Sequence, residues 1–98
     1  MSNKKIALSW IKYMLSGKKE PKLFKGTNFT GIDNYMVSFD IPICQYVGNS
    51  VFKVSTKKYS NSTKRHQYYI NIALMDLKQD NPQITIETVD EIDGRINV

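Results

Sequence analysis

Several residue types are scarce in this chain, and each scarcity narrows what the chain can be. The 98 residues contain one cysteine, Cys44, and one histidine, His66. A single cysteine cannot form an internal disulfide, and these two residues alone do not make a zinc-ligand set. We therefore expect Cys44 to be a small buried hydrophobe in a reducing compartment. We predict neither a metal nor any other cofactor.

Long apolar runs are also missing. No stretch approaches the about 20 consecutive apolar residues that cross a bilayer, and Ser9 and Lys12 interrupt the apolar residues near the N-terminus. We expect no membrane partner and a cytoplasmic location. With 41% apolar and 23% charged residues, the composition is typical of a globular chain, and we predict one domain, 1–98.

The net charge is +5, and the basic residues are unevenly distributed along the chain. Residues 1–30 hold seven lysines and one acid, whereas residues 76–98 hold two basic and six acidic side chains. A basic surface favours a partner with negative charge, such as DNA, RNA, a nucleotide or an acidic protein patch. Lysines that serve only solubility are the alternative explanation.

The periodicity of the sequence predicts an α+β fold in a small single domain. Its order is helix, three strands, helix, two strands, with a mostly antiparallel sheet packed with two helices. The predicted elements are a helix at 3–15, a basic loop at 16–33, strands within 34–56, a helix at 60–77 and a C-terminal hairpin at 83–98.

The strand region contains two turn signals. Apolar residues alternate with a period of two from Tyr35 to Ile43, and Asp40 indicates a turn inside that run. Gly48 and Asn49 predict a two-residue hairpin turn. The resulting register places Ile41 opposite Thr56, Ile43 opposite Val54 and Gln45 opposite Phe52, all on one apolar face.

The stretch from Val54 to Ile70 combines hydroxyl and basic side chains and contains no acid. It lies where a strand is followed by a helix, and the first turn of a helix has free N–H groups that attract anions. Ser60 or Ser62 would cap that helix in the simplest interpretation. The candidate anion- or partner-binding residues are Lys57, Lys58, Tyr59, Ser60, Ser62, Thr63, Lys64 and Arg65.

His66 is the chain's one candidate general base. Nearby hydroxyls are conceivable nucleophiles, namely Tyr59, Ser60, Ser62 and Thr63, but no acid lies close in sequence to orient the imidazole. We therefore predict no enzymatic activity, with a metal-free nuclease dependent on His66 as the alternative. The acidic residues near the C-terminus fall in a tight Asp-Gly turn, which cannot wrap a cation.

The second helix carries two apolar stripes. The first contains His66, Tyr69, Ile70, Ala73, Leu74 and Leu77 and is expected to face the sheet. The second contains Tyr68, Ile72 and Met75. Burial against the first helix is the favoured interpretation of this second stripe, and contact with a partner is the alternative.

The segment from Asp33 to Gln67 resembles a family of small uncharacterised domains of bacteriophages and plasmids. The resemblance lies in a strand hairpin followed by Tyr59-Ser60-Asn61-Ser62-Thr63 and His66, which is similar to a Tyr-Ser-x-Thr-Thr-x-x-His motif with Ser62 in place of the usual Thr. It implies a mobile-element accessory protein in a host bacterial cell.

Small phage accessory proteins often act by binding and inhibiting a host factor or a defence system, so the resemblance implies an inhibitor in the manner of anti-CRISPR proteins. The implied partner is a host protein or a nucleoprotein complex. A basic module that binds nucleic acid or a nucleotide is the alternative function. A homodimer is compatible with either function.

Overall fold

Two helices form where the apolar spacing predicts them. The structure, a computed structural model, describes residues 2–20 and 22–92, with helix α1 at Asn3–Leu15 and helix α2 at Asn61–Asp80. Ser2 caps α1, since its side chain accepts a hydrogen bond from the backbone N–H of Lys5. Each helix buries one apolar side, and Trp10 and Ile11 of α1 are fully buried.

Six strands form one mixed sheet in sequential order. They are β1 (Leu23–Lys25), β2 (Phe29–Ile32), β3 (Tyr35–Ser38), β4 (Ile41–Gly48), β5 (Val51–Ser55) and β6 (Thr85–Val89). The first five strands pair antiparallel. β6 pairs parallel with β5, and α2 makes the crossover between them. A parallel partner requires such a long connection, whereas the antiparallel strands are joined by short turns.

The order of elements differs from the predicted one. The predicted loop at 16–33 contains β1 and β2, so five strands precede α2 where the sequence predicted three. The glycines that favoured a loop are sites of close packing. A Cβ added at Gly31 would lie 2.6 Å from Cδ1 of Trp10, and one at Gly26 would lie 2.3 Å from Oδ1 of Asn3.

The predicted register of the β4–β5 hairpin is wrong by one residue. The turn residues are Asn49 and Ser50, with φ of 52° and 62°, where Gly48 and Asn49 were predicted. The register also shifts between Tyr46 and Gly48, so that Val47 has no partner in β5. Positive φ at both central residues is the type I′ geometry that fits the twist of a hairpin. The observed partners are Cys44 with Val54, Gln45 with Lys53, and Tyr46 with Phe52.

The turn indicated by Asp40 is present, because β3 ends at Ser38 and β4 begins at Ile41. At the other end of the chain, Thr85–Val89 is the strand of the predicted 83–98 hairpin that the structure describes. The return strand of that hairpin would fall on residues 93–98, which lie outside the described residues.

The hydrophobic core lies between the helices and one face of the sheet. Alternate residues of β2 and β3 are buried, as expected for strands covered on one face. Trp10 meets Phe52 edge to face, with ring centroids 5.9 Å apart. Within the described ranges, no helix is both long enough and apolar enough to span a membrane.

Candidate functional site

The junction between β5 and α2 holds the predicted anion-binding residues. Ser60 has extended backbone angles, and its side chain accepts a hydrogen bond from the N–H of Thr63 at 3.3 Å. Its carbonyl accepts from the N–H of Lys64 at 2.9 Å. Ser60, rather than Ser62, is therefore the N-cap, and its acceptor is occupied within the helix.

Thr63 and His66 point away from the surface. Thr63 is 1% exposed, and its Oγ1 accepts a hydrogen bond from the hydroxyl of Ser38 at 2.9 Å. Ser38 also lies 2.6 Å from Nδ1 of His66. Ser38 itself has no exposed surface. These polar groups satisfy one another inside the protein, so Thr63 is not available to a surface ligand.

The other ring nitrogen of His66 faces Asn3. The Asn3 side chain accepts from the N–H of Thr27 at 2.9 Å and donates to the carbonyl of Thr27 at 3.0 Å. That orientation brings its Nδ2 donor to 3.3 Å from Nε2 of His66. Nε2 must then accept, and the proton on Nδ1 is donated to Ser38. Burial and the charge of Arg65 lower the pKa of His66, which favours this neutral form.

The contacts of His66 determine whether its imidazole can reach a substrate. His66 stacks on Phe29, with ring centroids 4.7 Å apart, and is 6% exposed. The hydroxyl nearest to the imidazole, on Ser38, is fully buried. A general base must reach a proton of the substrate. In this arrangement the imidazole joins α1, β3 and α2 through hydrogen bonds.

Lys57 and Tyr59 engage other parts of the chain. The ammonium of Lys57 forms an ion pair with Glu91 and lies 5.7 Å from the ring centroid of Tyr59. The hydrogen bond that Lys57 donates to the carboxylate of Glu91 raises the pKa of Lys57 above its ordinary value. Tyr59 is half-buried against the core. The positive charge of Lys57 is therefore partly compensated by the acidic C-terminal segment.

Five of the predicted residues are exposed around the start of α2. They are Lys58, Ser60, Ser62, Lys64 and Arg65. Arg65 and Ser62 line a cavity of about 230 Å³ with Phe39 and His66. Lys64 lies on the other side of the helix start, where it lines a second cavity of about 310 Å³ with Tyr68 and the C-terminal end of β5. The basic side chains thus flank the first turns of α2 rather than converge on one point.

The second apolar stripe of α2 points to solvent. Tyr68 is 60% exposed and Met75 is 64% exposed, whereas Ile72 is half-buried. The favoured interpretation from sequence, burial against α1, is therefore wrong for Tyr68 and Met75. Residues 64, 68, 72 and 75 lie on one side of a helix at 3.6 residues per turn. We call Lys64, Tyr68, Ile72 and Met75 the α2 outer face.

Hydrogen bonds of Gln67 hold in place the helix that carries the α2 outer face. The side-chain amide of Gln67 donates to the carbonyl of Ser55 at 3.0 Å and to that of Lys57 at 3.2 Å. These bonds fasten the first turns of α2 to the chain leaving β5. The sequence did not predict this role of Gln67, which lies three residues after Lys64 and lines the same cavity as Lys64 and Tyr68.

Two further groups were not found from the sequence. Ser38 and Asn3 are partners of His66, yet both are far from it along the chain.

No group of three or more His, Cys, Asp or Glu side chains within residues 2–20 and 22–92 is arranged to hold a metal ion. Comparison with protein-family models, with the curated proteins and with the solved structures found no match to this chain.

Proposed function

We propose that this protein acts by binding, as a small phage or mobile-element accessory protein that inhibits a host factor or a defence system in the bacterial cytoplasm. The observation that carries the proposal is the α2 outer face, where Tyr68 and Met75 are more than half exposed. The phage or plasmid origin is supported by the resemblance of the segment from Asp33 to Gln67.

The exposed side chains are of the kinds that bind partners well. Tyrosine is enriched at the centres of protein interfaces, and methionine adapts its shape to varied surfaces. Burying such a side chain contributes about 1.5–3 kcal/mol. Tyr68 and Met75 lie two helical turns apart, so a helix-binding groove would bury both at once.

Charge indicates the chemistry of the partner. Lys64 belongs to the α2 outer face, and Lys58 and Arg65 lie exposed near it. The described residues contain one ion pair, that of Lys57 with Glu91, so these three cations are not engaged there. The partner that fits is a host protein with an apolar groove bordered by carboxylates.

The test is an inhibition assay in a bacterium that carries an active defence system, read as the plating efficiency of a targeted phage. We expect the protein to raise the plating efficiency of the phage. With the double variant Tyr68→Ala/Met75→Ala, that increase should be at least tenfold smaller. The sheet control is Phe39→Ala/Val47→Ala, which removes two exposed apolar side chains, one in the turn between β3 and β4 and one in β4. Equal activity of both double variants and the unmodified protein would rule out the α2 outer face.

The partner can be identified in the same system. Affinity capture from that bacterium, read by mass spectrometry, should recover a protein with the unmodified chain and the sheet control but not with Tyr68→Ala/Met75→Ala. Recovery of the chain itself, with a dimer in sedimentation that the variant abolishes, would show that the α2 outer face joins two copies instead.

A second candidate function is binding of nucleic acid or a nucleotide at the start of α2. Exposed Lys58, Lys64 and Arg65 favour it. Phosphate contacts make such binding weaken steeply as salt rises. In this case Lys64→Glu/Arg65→Glu should abolish binding of a short DNA or RNA while the fold, read by circular dichroism, survives. Normal binding by that variant would place the contact elsewhere.

A further inference from the structure

A cleft of about 620 Å³ lies between the second half of α1 and strand β1. It is lined on the helix side by Ser9, Lys12, Tyr13 and Ser16, and on the other side by Lys18, Lys22, Phe24 and Lys25. This cleft is separate from the α2 outer face, with which it shares no residue. We call it the lysine groove.

The charge of the lysine groove has one sign. Four lysines line it and no carboxylate does. None of the four forms a salt bridge with any residue in 2–20 or 22–92. Like charges around a concave surface reinforce one another's potential and attract an anion from solution. Lys12 stands on one wall while Lys18 and Lys25 stand on the other, so a ligand would meet positive charge from both sides.

The walls of the groove are held in place by hydrogen bonds. The hydroxyl of Tyr13 donates to the carbonyl of Glu20 at 2.5 Å, and that of Ser16 donates to the carbonyl of Tyr13 at 2.6 Å. Gly17, with φ of 73°, lets the chain reverse directly after α1. These bonds fix the end of α1 and its side of the groove before a ligand binds, which reduces the entropy lost on binding.

Two aromatic rings position one lysine of the groove. Tyr13 and Phe24 have ring centroids 5.5 Å apart, and the ammonium of Lys22 lies 5.4 Å from one ring and 5.1 Å from the other. Phe24 itself is buried, whereas all four lysines are exposed. A ligand in the groove would therefore contact mainly ammonium groups, which favours binding through phosphates.

We propose that the lysine groove binds single-stranded nucleic acid through its phosphate backbone. An acidic peptide is the competing ligand, but paired carboxylates are matched best by the planar fork of arginine. All four cations in the groove are lysines, which act as point charges and suit phosphate. An open cleft lined on two sides also fits a polymer that runs through it.

This site is independent of the proposed function, although the two combine in one way. A partner that is a nucleoprotein would present protein to the α2 outer face and nucleic acid to the lysine groove. Loss of one contact leaves the other, so the two proposals fail separately. The variant Tyr68→Ala/Met75→Ala is expected to bind nucleic acid as the unmodified protein does.

The experiment measures binding of short fluorescent single-stranded DNA and RNA by anisotropy, from about 50 to about 200 mM salt. The groove variant is Lys12→Gln/Lys18→Gln/Lys25→Gln, which keeps Lys22 over the rings of Tyr13 and Phe24. Its control is Lys4→Gln/Lys53→Gln/Lys78→Gln, which removes the same charge at positions outside the groove and outside the start of α2. Circular dichroism checks that both variants fold.

We expect the groove variant to bind at least tenfold more weakly at low salt. The slope of log affinity against log salt should fall by about two for three lost phosphate contacts on a single strand. The control should change the affinity less than threefold. Equal losses in both triple variants, or no binding of either nucleic acid at low salt, would overturn the proposal. Competition by polyglutamate as strong as that by inorganic polyphosphate would assign the groove to acidic proteins instead.

Discussion

At the scale of single residues, His66 connects distant parts of the chain. Its Nδ1 donates to Ser38 of β3, and its Nε2 accepts from Asn3 of α1. The Asn3 side chain is held by the backbone of Thr27, so it cannot turn its oxygen toward the ring without losing two hydrogen bonds. Protonation of Nε2 would place two donors against each other in a buried site, which costs free energy.

This arrangement predicts that acid weakens the fold through His66. Burial and Arg65 lower the pKa of His66 in the folded protein below the about 6.5 of an unfolded chain. The unfolded chain therefore takes up the proton first as pH falls through about 6.5, so the stabilisation is complete above that pH and declines below it. Urea midpoints measured from about pH 7.5 to about pH 5.5 should fall, and His66→Gln should flatten the decline.

The control for that series is Arg65→Gln, which keeps the imidazole but removes its cationic neighbour. Its midpoints should still decline, over a window that begins at the same upper pH, because the unfolded chain is unchanged. If His66→Gln loses stability with pH as steeply as the unmodified protein, another group carries the dependence.

The sequence predicted part of this arrangement. Spacing along α2 placed His66 on the buried stripe, and the hydroxyl-rich entry predicted a cap at Ser60 or Ser62. Ser38 and Asn3 were not foreseen, because they reach His66 only through tertiary packing. Exposure of Tyr68 and Met75 was the less favoured of two interpretations, since a periodic pattern shows which residues share a face but not whether that face is covered.

At the scale of elements, the hairpin of β4 and β5 shows how a turn decides a register. Gly48-Asn49 and Asn49-Ser50 both fit a two-residue loop by composition. The structure uses the second, and Val47 is left out of the pairing. The result places Cys44 and Tyr46, rather than Ile43 and Gln45, opposite the buried side chains of β5. Gln45 instead meets Lys53, a polar pair on the uncovered face.

The turn predicts a stabilising substitution. Ser50 has φ of 62°, a conformation that costs a residue with a side chain about 1–2 kcal/mol. Ser50→Gly removes that cost and creates Asn-Gly, the favoured type I′ pair, at an entropic cost of about 0.5–1 kcal/mol. We expect a net gain of roughly 0.5 kcal/mol in the free energy of unfolding, measured by urea denaturation.

Ser50→Ala serves as the matched control, because it removes the hydroxyl and keeps the Cβ. It should leave stability unchanged or lower. A stabilisation by Ala equal to that by Gly would show that the backbone conformation of the turn is not the cause.

The segment 16–33 illustrates a different limit of sequence patterns. Its lysines, glycines and proline are typical of a loop, yet β1 and β2 form within it. Gly31 lacks a side chain because Trp10 occupies the space above it. A glycine required for close packing and a glycine in a mobile loop look alike in one sequence. The lysine groove depends on this difference, since Lys25 belongs to a strand.

At the scale of the whole molecule, the two helices cover one face of a six-stranded sheet. Five of its strands pair antiparallel, and the sixth pairs parallel with β5. The sequence predicted the α+β class and the mixture of two helices with a mostly antiparallel sheet. The parallel pairing of β6 was not predicted, because apolar alternation in Thr85–Val89 specifies a strand but not its neighbour. The crossover through α2 is what brings β6 to β5.

Cys44 gives a measure of how the whole molecule opens. It is fully buried in β4, paired with Met36 on one side and Val54 on the other. Burial raises the pKa of its thiol well above the ordinary range, and the thiolate is the species that reacts. Exposing it requires separating the sheet from the helices, so labelling by a thiol reagent should follow global unfolding.

We expect the thiol of the native protein to react at least about a thousandfold more slowly than that of the urea-unfolded chain. When the protein refolds faster than the reagent reacts, the labelling rate follows the equilibrium fraction of unfolded chain. Ser50→Gly lowers that fraction by stabilising the fold, so it should slow the reaction further. The control is Cys44→Ala/Thr56→Cys, which moves the thiol to an exposed position and should react at nearly the unfolded rate. Rapid labelling of native Cys44, with a rate indifferent to Ser50→Gly, would mean that β4 opens locally while the rest of the sheet stays intact.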